Sequence, residues 1–132
     1  MIQPSELRIG NWVETKGVYF KVAKIVTYLG NPQNYKSNFV GLWSDNVYQQ
    51  KGFDKINPIE LTDEIIKKAD LTERYVKGEW SWSFNGKWTC FTEILKKEEG
   101  YKYLDGYPLI KYVHQLQNLY FSLTWQELEV VW

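Results

Sequence analysis

A chain of 132 residues is long enough to bury one core, and 44% hydrophobic against 24% charged side chains places it outside the disordered range. Sixteen basic and sixteen acidic residues cancel; the local surplus is two basic through Glu60 and two acidic after it. That balance argues against a protein that holds nucleic acid mainly through phosphates.

Cys90 stands alone, which excludes an intrachain disulfide and a cysteine-rich metal site. The start, MIQPSELRIGNW, has neither the basic opening nor the apolar run of a secretory signal. No apolar stretch approaches the roughly 20 residues of a membrane span. A cytoplasmic protein with no membrane association and no cofactor is expected. Seven Trp and ten Tyr favour a β-rich core.

In chain order, NWVET and VYFKVAKIVTYL flank Lys16-Gly17, a tight connection. Val18, Phe20 and Val22 alternate with Tyr19 and Lys21, and the phase then slips to Ile25, which predicts a bulge near Ala23-Lys24. The segment GNPQN reads as a loop. NFVGLW and NVYQQ follow as strands around Ser44-Asp45-Asn46. Together, Leu7 to about Ile59 predicts a small, strongly bent antiparallel barrel of the Src-homology type.

PIELTDEIIKKADL predicts a short helix, with Thr62 as cap, Asp63 and Glu64 in the positive first turn and Lys67 and Lys68 in the last. Leu61 and Ile66 stand at staple spacing. In EWSWSFNGKWTCF, Asn85-Gly86 predicts a two-residue hairpin turn pairing Phe84 with Lys87, Trp82 with Thr89 and Trp80 with Phe91. YKYL returns as a third strand. Residues 110–123 predict a broadly apolar helix with Pro108 in its first turn, and LEVVW adds a last strand. The fold class is α+β and β-rich: one domain over residues 1–132, with a barrel at 5–60 and helix, hairpin and C-terminal helix at 61–132.

On that terminal helix Lys111, Gln115, Asn118 and Ser122 form a polar wedge at about 100° per residue, open to solvent or to a partner. His114, the only histidine, lies at the edge of the apolar arc with Gln117 nearby. A general base or a metal ligand is one reading of His114. The other is a structural histidine, favoured because no second His or Cys ligand and no nucleophile motif accompanies it. Gln117 reads as a structural link, since a buried amide needs a partner.

Three segments, ELRIGNWV, PIELTDEII and IKYVHQLQNLYFSLTWQELEV, run in that order along the chain. Together they resemble an uncharacterised protein family of Bacteroidetes genomes, their phages and prophages. Leu7, Ile9, Gly10, the run from Tyr112 to Tyr120, and Leu128 carry the resemblance. Trp125 departs from it, where relatives usually have Gly, a residue suited to a left-handed helix terminus. The resemblance implies a phage or mobile-element setting and supplies no activity.

Two function classes follow, and an enzyme is not expected. The carboxylate pairs Asp63-Glu64 and Glu98-Glu99 read as solvated, and GNPQN is too poor in glycine to cradle a phosphate. The leading reading is a non-enzymatic accessory protein that binds another protein. Its aromatic surplus, Trp88, Tyr101, Tyr103, Trp125 and Trp132, either supplies contact residues or closes a second small core. The alternative is an aromatic platform of Trp82, Trp88 and Tyr103, with Lys87 or Arg74, that stacks a sugar, a nucleotide or a single strand.

Overall fold

The computed structural model describes residues 2–27, 38–89 and 91–132; the loop expected at 30–34 and Cys90 lie outside the described residues. The chain is α+β and strand-rich, with two four-stranded antiparallel sheets, each a meander in chain order. It divides into two compact units, Met1–Ile59 and Glu60–Trp132, with one sheet in each.

The first sheet contains β1 (Trp12–Thr15), β2 (Val18–Val26), β3 (Phe39–Ser44) and β4 (Val47–Gly52). Lys16 and Gly17 form the first turn with φ of 52° and 78°, and Asp45 and Asn46 form the last with 45° and 67°. Positive φ at both centres matches the right-handed twist of the strands that a two-residue turn joins. The expected bulge is present. Val22 faces Leu42 but Lys24 faces Gly41, so Ala23 is the extra residue. The inward row is mostly aliphatic, with Val13, Phe20, Val22, Val40 and Leu42 packed with Ile2, Leu7, Phe53 and Ile56.

The expected barrel does not close. β1 and β4 remain the outer strands of an open sheet. A 3-10 turn over Phe53–Lys55 follows β4 directly and buries Phe53, so the backbone leaves the extended conformation before a ladder to β1 can form. A single bridge forms instead, with Glu14 N–H donating to Asn57 O at 2.9 Å and Asn57 N–H to Glu14 O at 2.8 Å.

In the second unit α1 (Asp63–Lys68) begins as its sequence implies. Thr62 Oγ1 accepts the Ile65 N–H at 3.3 Å, and Leu61 and Ile66 are both buried. The sheet contains β5 (Thr72–Val76), β6 (Glu79–Ser83), β7 (Glu93–Lys97) and β8 (Gly100–Lys102), the last arising from the YKYL segment.

The hairpin register differs from the expected one. The tight turn is Lys77-Gly78, with φ of 53° and 80°, and it joins β6 to the unanticipated strand β5. Trp82 faces Glu73 and Ile94 in place of Thr89, and Trp80 faces Tyr75 in place of Phe91. Asn85-Gly86 belongs to a longer connection held by side chains. Ser83 Oγ donates to Lys87 O at 2.7 Å, Lys87 N–H donates to Asn85 Oδ1 at 3.0 Å, and Phe84 N–H reaches Thr92 O at 2.9 Å.

α2 (Val113–Thr124) starts later than residue 110, because Ile110 is already bridged to Tyr101 and Tyr112 to Glu60. Pro108 therefore precedes the helix. Gln115 Oε1 accepts the N–H groups of Lys111 and Tyr112 at 2.9 and 3.1 Å, satisfying donors at the helix start. Trp82 meets Tyr101 edge-on at 5.4 Å, and Phe84 meets Tyr120 of α2 edge-on at 5.7 Å. The expected final strand is reduced to one bridge, Val130 with Ala69, because Asp70 and Val131 N–H find Glu129 O and Lys68 O at the end of α1. Among the described residues no helix is long and apolar enough to cross a membrane.

Candidate functional site

Alternation along a strand sends every second side chain outward, and on the first sheet the outward residues are largely aromatic. Trp12, Lys21, Trp43 and Tyr48 stand directly opposite one another, one from each strand. Lys21 Nζ lies 5.7 Å from the Trp12 ring centre, a cation–π distance. The Trp43 and Tyr48 rings are 6.1 Å apart at 55°, and both side chains are open, at 45% and 44% exposure. Tyr19, also exposed, continues the surface from the adjacent rung opposite Glu14.

Glycine shapes one end of this row. A Cβ on Gly41 would come within 2.9 Å of Tyr48 Cε2 and Cζ, so the ring lies over the bare backbone of β3. Gln50, opposite Gly41, reaches Tyr48 Oη at 3.5 Å. The result is an aromatic, weakly cationic face.

The residues singled out by sequence do not form one platform. Trp82 is 2% exposed on the core side of its sheet, and its indole N–H has no hydrogen-bond partner among the described residues. Arg74 is opposite Ser81, hence on the other face, where its guanidinium carbon covers the Trp88 ring at 4.0 Å and one nitrogen is 3.5 Å from Glu93. Tyr103 is half-buried, donates its hydroxyl to Phe91 O at 2.9 Å and meets Tyr107 edge-on at 5.4 Å. Lys87 is exposed in the connecting loop.

His114 is 1% exposed, with its ring parallel to Tyr112 at 5.9 Å, and Gln117 is equally buried on α2. Of the polar wedge, Lys111 is exposed, Asn118 is half-buried, and Gln115 is occupied at the helix start. Lys111 does line a cleft of about 440 Å³ in the second unit, with Asp63, Lys96, Glu98, Tyr101 and Tyr112.

In that cleft Asp63 accepts from the Lys96 ammonium and, at 2.5 Å, from Tyr101 Oη. The Lys96 hydrogen bond, then that of Tyr101, holds the Asp63 carboxyl below its ordinary range. Burial, reinforced by Asp63, pushes the Tyr101 hydroxyl well up. Both shifts move away from neutrality, so the cluster acts as a clamp and neither group is tuned for proton transfer near pH 7. Among the described residues no group of three or more His, Cys, Asp or Glu side chains is placed to hold a metal ion.

The outward row of the first sheet was missed by sequence reading, although a signal existed. A two-residue turn fixes register, so Lys16-Gly17 and Asp45-Asn46 already imply that Trp12 faces Lys21 and Trp43 faces Tyr48. Compared with known proteins, the chain matches no protein-family model, no curated protein and no solved structure.

Proposed function

We propose that this protein is a non-enzymatic accessory protein that binds another protein through the outer face of its first sheet. One observation carries the reading: Trp43 and Tyr48 lie side by side and nearly half exposed, in a row that continues through Lys21 to Trp12. Exposed Trp and Tyr are the side chains most enriched at interface hot spots. The face is an open sheet surface, whereas small-molecule sites are concave. Its charges, Lys21 and Lys24 against Glu14, favour a partner surface that is apolar at its centre and acidic at its rim. A phage or mobile-element setting for that partner rests on the sequence resemblance.

The test is affinity capture from host lysate with the intact chain and with Trp43→Ala/Tyr48→Ala, both nuclease-treated. One protein captured near stoichiometry by the intact chain and lost with the double variant supports the reading. Capture that the double variant retains sinks it. A second reading, stacking of a single-stranded nucleic acid, is favoured by Lys21 sitting between the rings. It is tested by tryptophan fluorescence during oligonucleotide titration, where a flat signal removes it.

A further inference from the structure

The Glu14–Asn57 bridge has a local consequence that is independent of the aromatic face. It draws the end of β1 against the chain that follows β4, and between them lies a cleft of about 420 Å³. Thr15, Lys16, Lys51, Asp54, Lys55 and Asn57 line it. The three ammonium groups come from three different elements: the β1–β2 turn, β4, and the 3-10 turn after it. Among the described residues Asp54 pairs with Lys55, at 4.0 Å. Lys16 and Lys51 make no ion pair among the described residues.

Three like charges around one concavity raise each other's energy, and an anion placed among them relieves the repulsion. Neutral donors complete the lining. The Thr15 residue is 5% exposed and lines the same cleft. Asn57 lines the cleft as well, and its backbone is held by the bridge. Lysine is a common phosphate binder that acts as a point charge. The volume lies within the range of small-molecule pockets and exceeds what a bare phosphate needs.

The geometry points to this cleft as a binding site for a phosphate-bearing small molecule, with Lys16, Lys51 and Lys55 on the phosphate and Thr15 and Asn57 as neutral donors. Asp54, the one carboxylate in the lining, opposes the anion and limits its affinity.

The site is tested by titrating the ¹⁵N-labelled full chain with pyrophosphate, inorganic phosphate and adenosine monophosphate, each at constant ionic strength. The expected result is saturable shifts centred on the amides of Thr15, Lys16, Lys51 and Asn57. Binding should weaken about tenfold in Lys51→Gln, the equivalent of one charge-assisted hydrogen bond, and tighten in Asp54→Asn. A purely structural role for these side chains predicts no such opposite pair. Tighter binding of the nucleotide identifies an organic body in the ligand, and equal binding of the inorganic anions identifies the phosphate alone. The proposal is overturned if no probe gives saturable shifts. It is also overturned if Lys51→Gln and Lys16→Gln, with dispersed spectra, bind like the parent.

Discussion

The two sheets have the same number of strands in the same meander order, and both expose an aromatic pair, Trp43 with Tyr48 on the first and Tyr75 with Trp80 on the second. Only the second sends a tryptophan into its core. In the second, Trp82 faces the core with Ile94 and meets Tyr101 edge-on. In the first, aliphatic residues and two phenylalanines fill the interior, and Trp43 and Tyr48 face out. Charge divides along the same line: residues 1–59 carry seven basic and four acidic side chains, and residues 60–132 nine and twelve. A zero net charge for the whole chain thus conceals a basic unit and an acidic one. A sheet that keeps its large aromatics outside gives up their burial energy, and that is the physical basis of the proposed partner contact.

The sharpest test replaces the same residue type on each sheet. Trp82→Ala should cost about 3–5 kcal/mol, as large-to-small core changes do, and Trp43→Ala under about 1 kcal/mol. Urea denaturation measures both, and equal costs would make the outward row structural. Next in size is the Asp63 clamp. The folded Asp63 carboxyl is depressed, so its contribution is present above the unfolded pKa of about 3.9 and is lost as pH falls through the folded value. Tyr101 is raised, so its contribution is present below about 10 and is lost as pH rises through its folded value. Asp63→Asn should flatten the acid limb of stability against pH, and Tyr101→Phe the alkaline limb. Lys96 and Asp63 are both more than a third exposed, so the ion pair itself is worth about 1 kcal/mol or less.

Gly41→Ala perturbs the outward row without removing a ring. The Tyr48 ring must move off β3, a shift that its flexible side chain absorbs at a cost of about 1 kcal/mol or less. Partner capture should fall while the urea midpoint barely moves. The smallest effect is at the end of α2, where Trp125 is 82% exposed and holds a left-handed conformation with φ 60°. Trp125→Gly should relieve that strain and raise stability by up to about 1 kcal/mol, offset by the greater freedom of an unfolded glycine. A lower midpoint would mean that the Phe121 contact, 5.9 Å away, outweighs the strain.

How legible this was depended on where the physics is local. The Thr62 cap, the Lys16-Gly17 turn and the bulge at Ala23 each follow from a few neighbouring residues, and each is present. β5 was not legible because all five of its side chains are exposed, so TERYV carries no alternation to read. Its turn was hidden for a related reason. Lys77 accepts the left-handed conformation beside Gly78, while the stronger turn signal of Asn85-Gly86 was captured by Ser83 and Thr92 hydrogen bonds. For the candidate site, alternation shows that Trp12, Glu14, Trp43 and Gly41 share faces with one another's partners. Which face is covered depends on chain far away in sequence. The sequence therefore pointed first to the aromatics of the second unit, Trp82, Trp88 and Tyr103.

The strand ladders also bear on how the chain reaches this state. Every ladder joins strands adjacent in sequence, so no ladder requires the closure of a long crossover. Three seams are exceptions: Glu14 with Asn57, Glu60 with Tyr112, and Ala69 with Val130, each a single bridge across a long stretch of chain. They bear the largest loop-closure entropy with the fewest hydrogen bonds to repay it. These seams should close last and open first, and native-state hydrogen exchange should find the Glu14 and Asn57 amides less protected than the β2–β3 ladder. The basic cleft borders the first of these seams, so an anion bound there would also slow its opening.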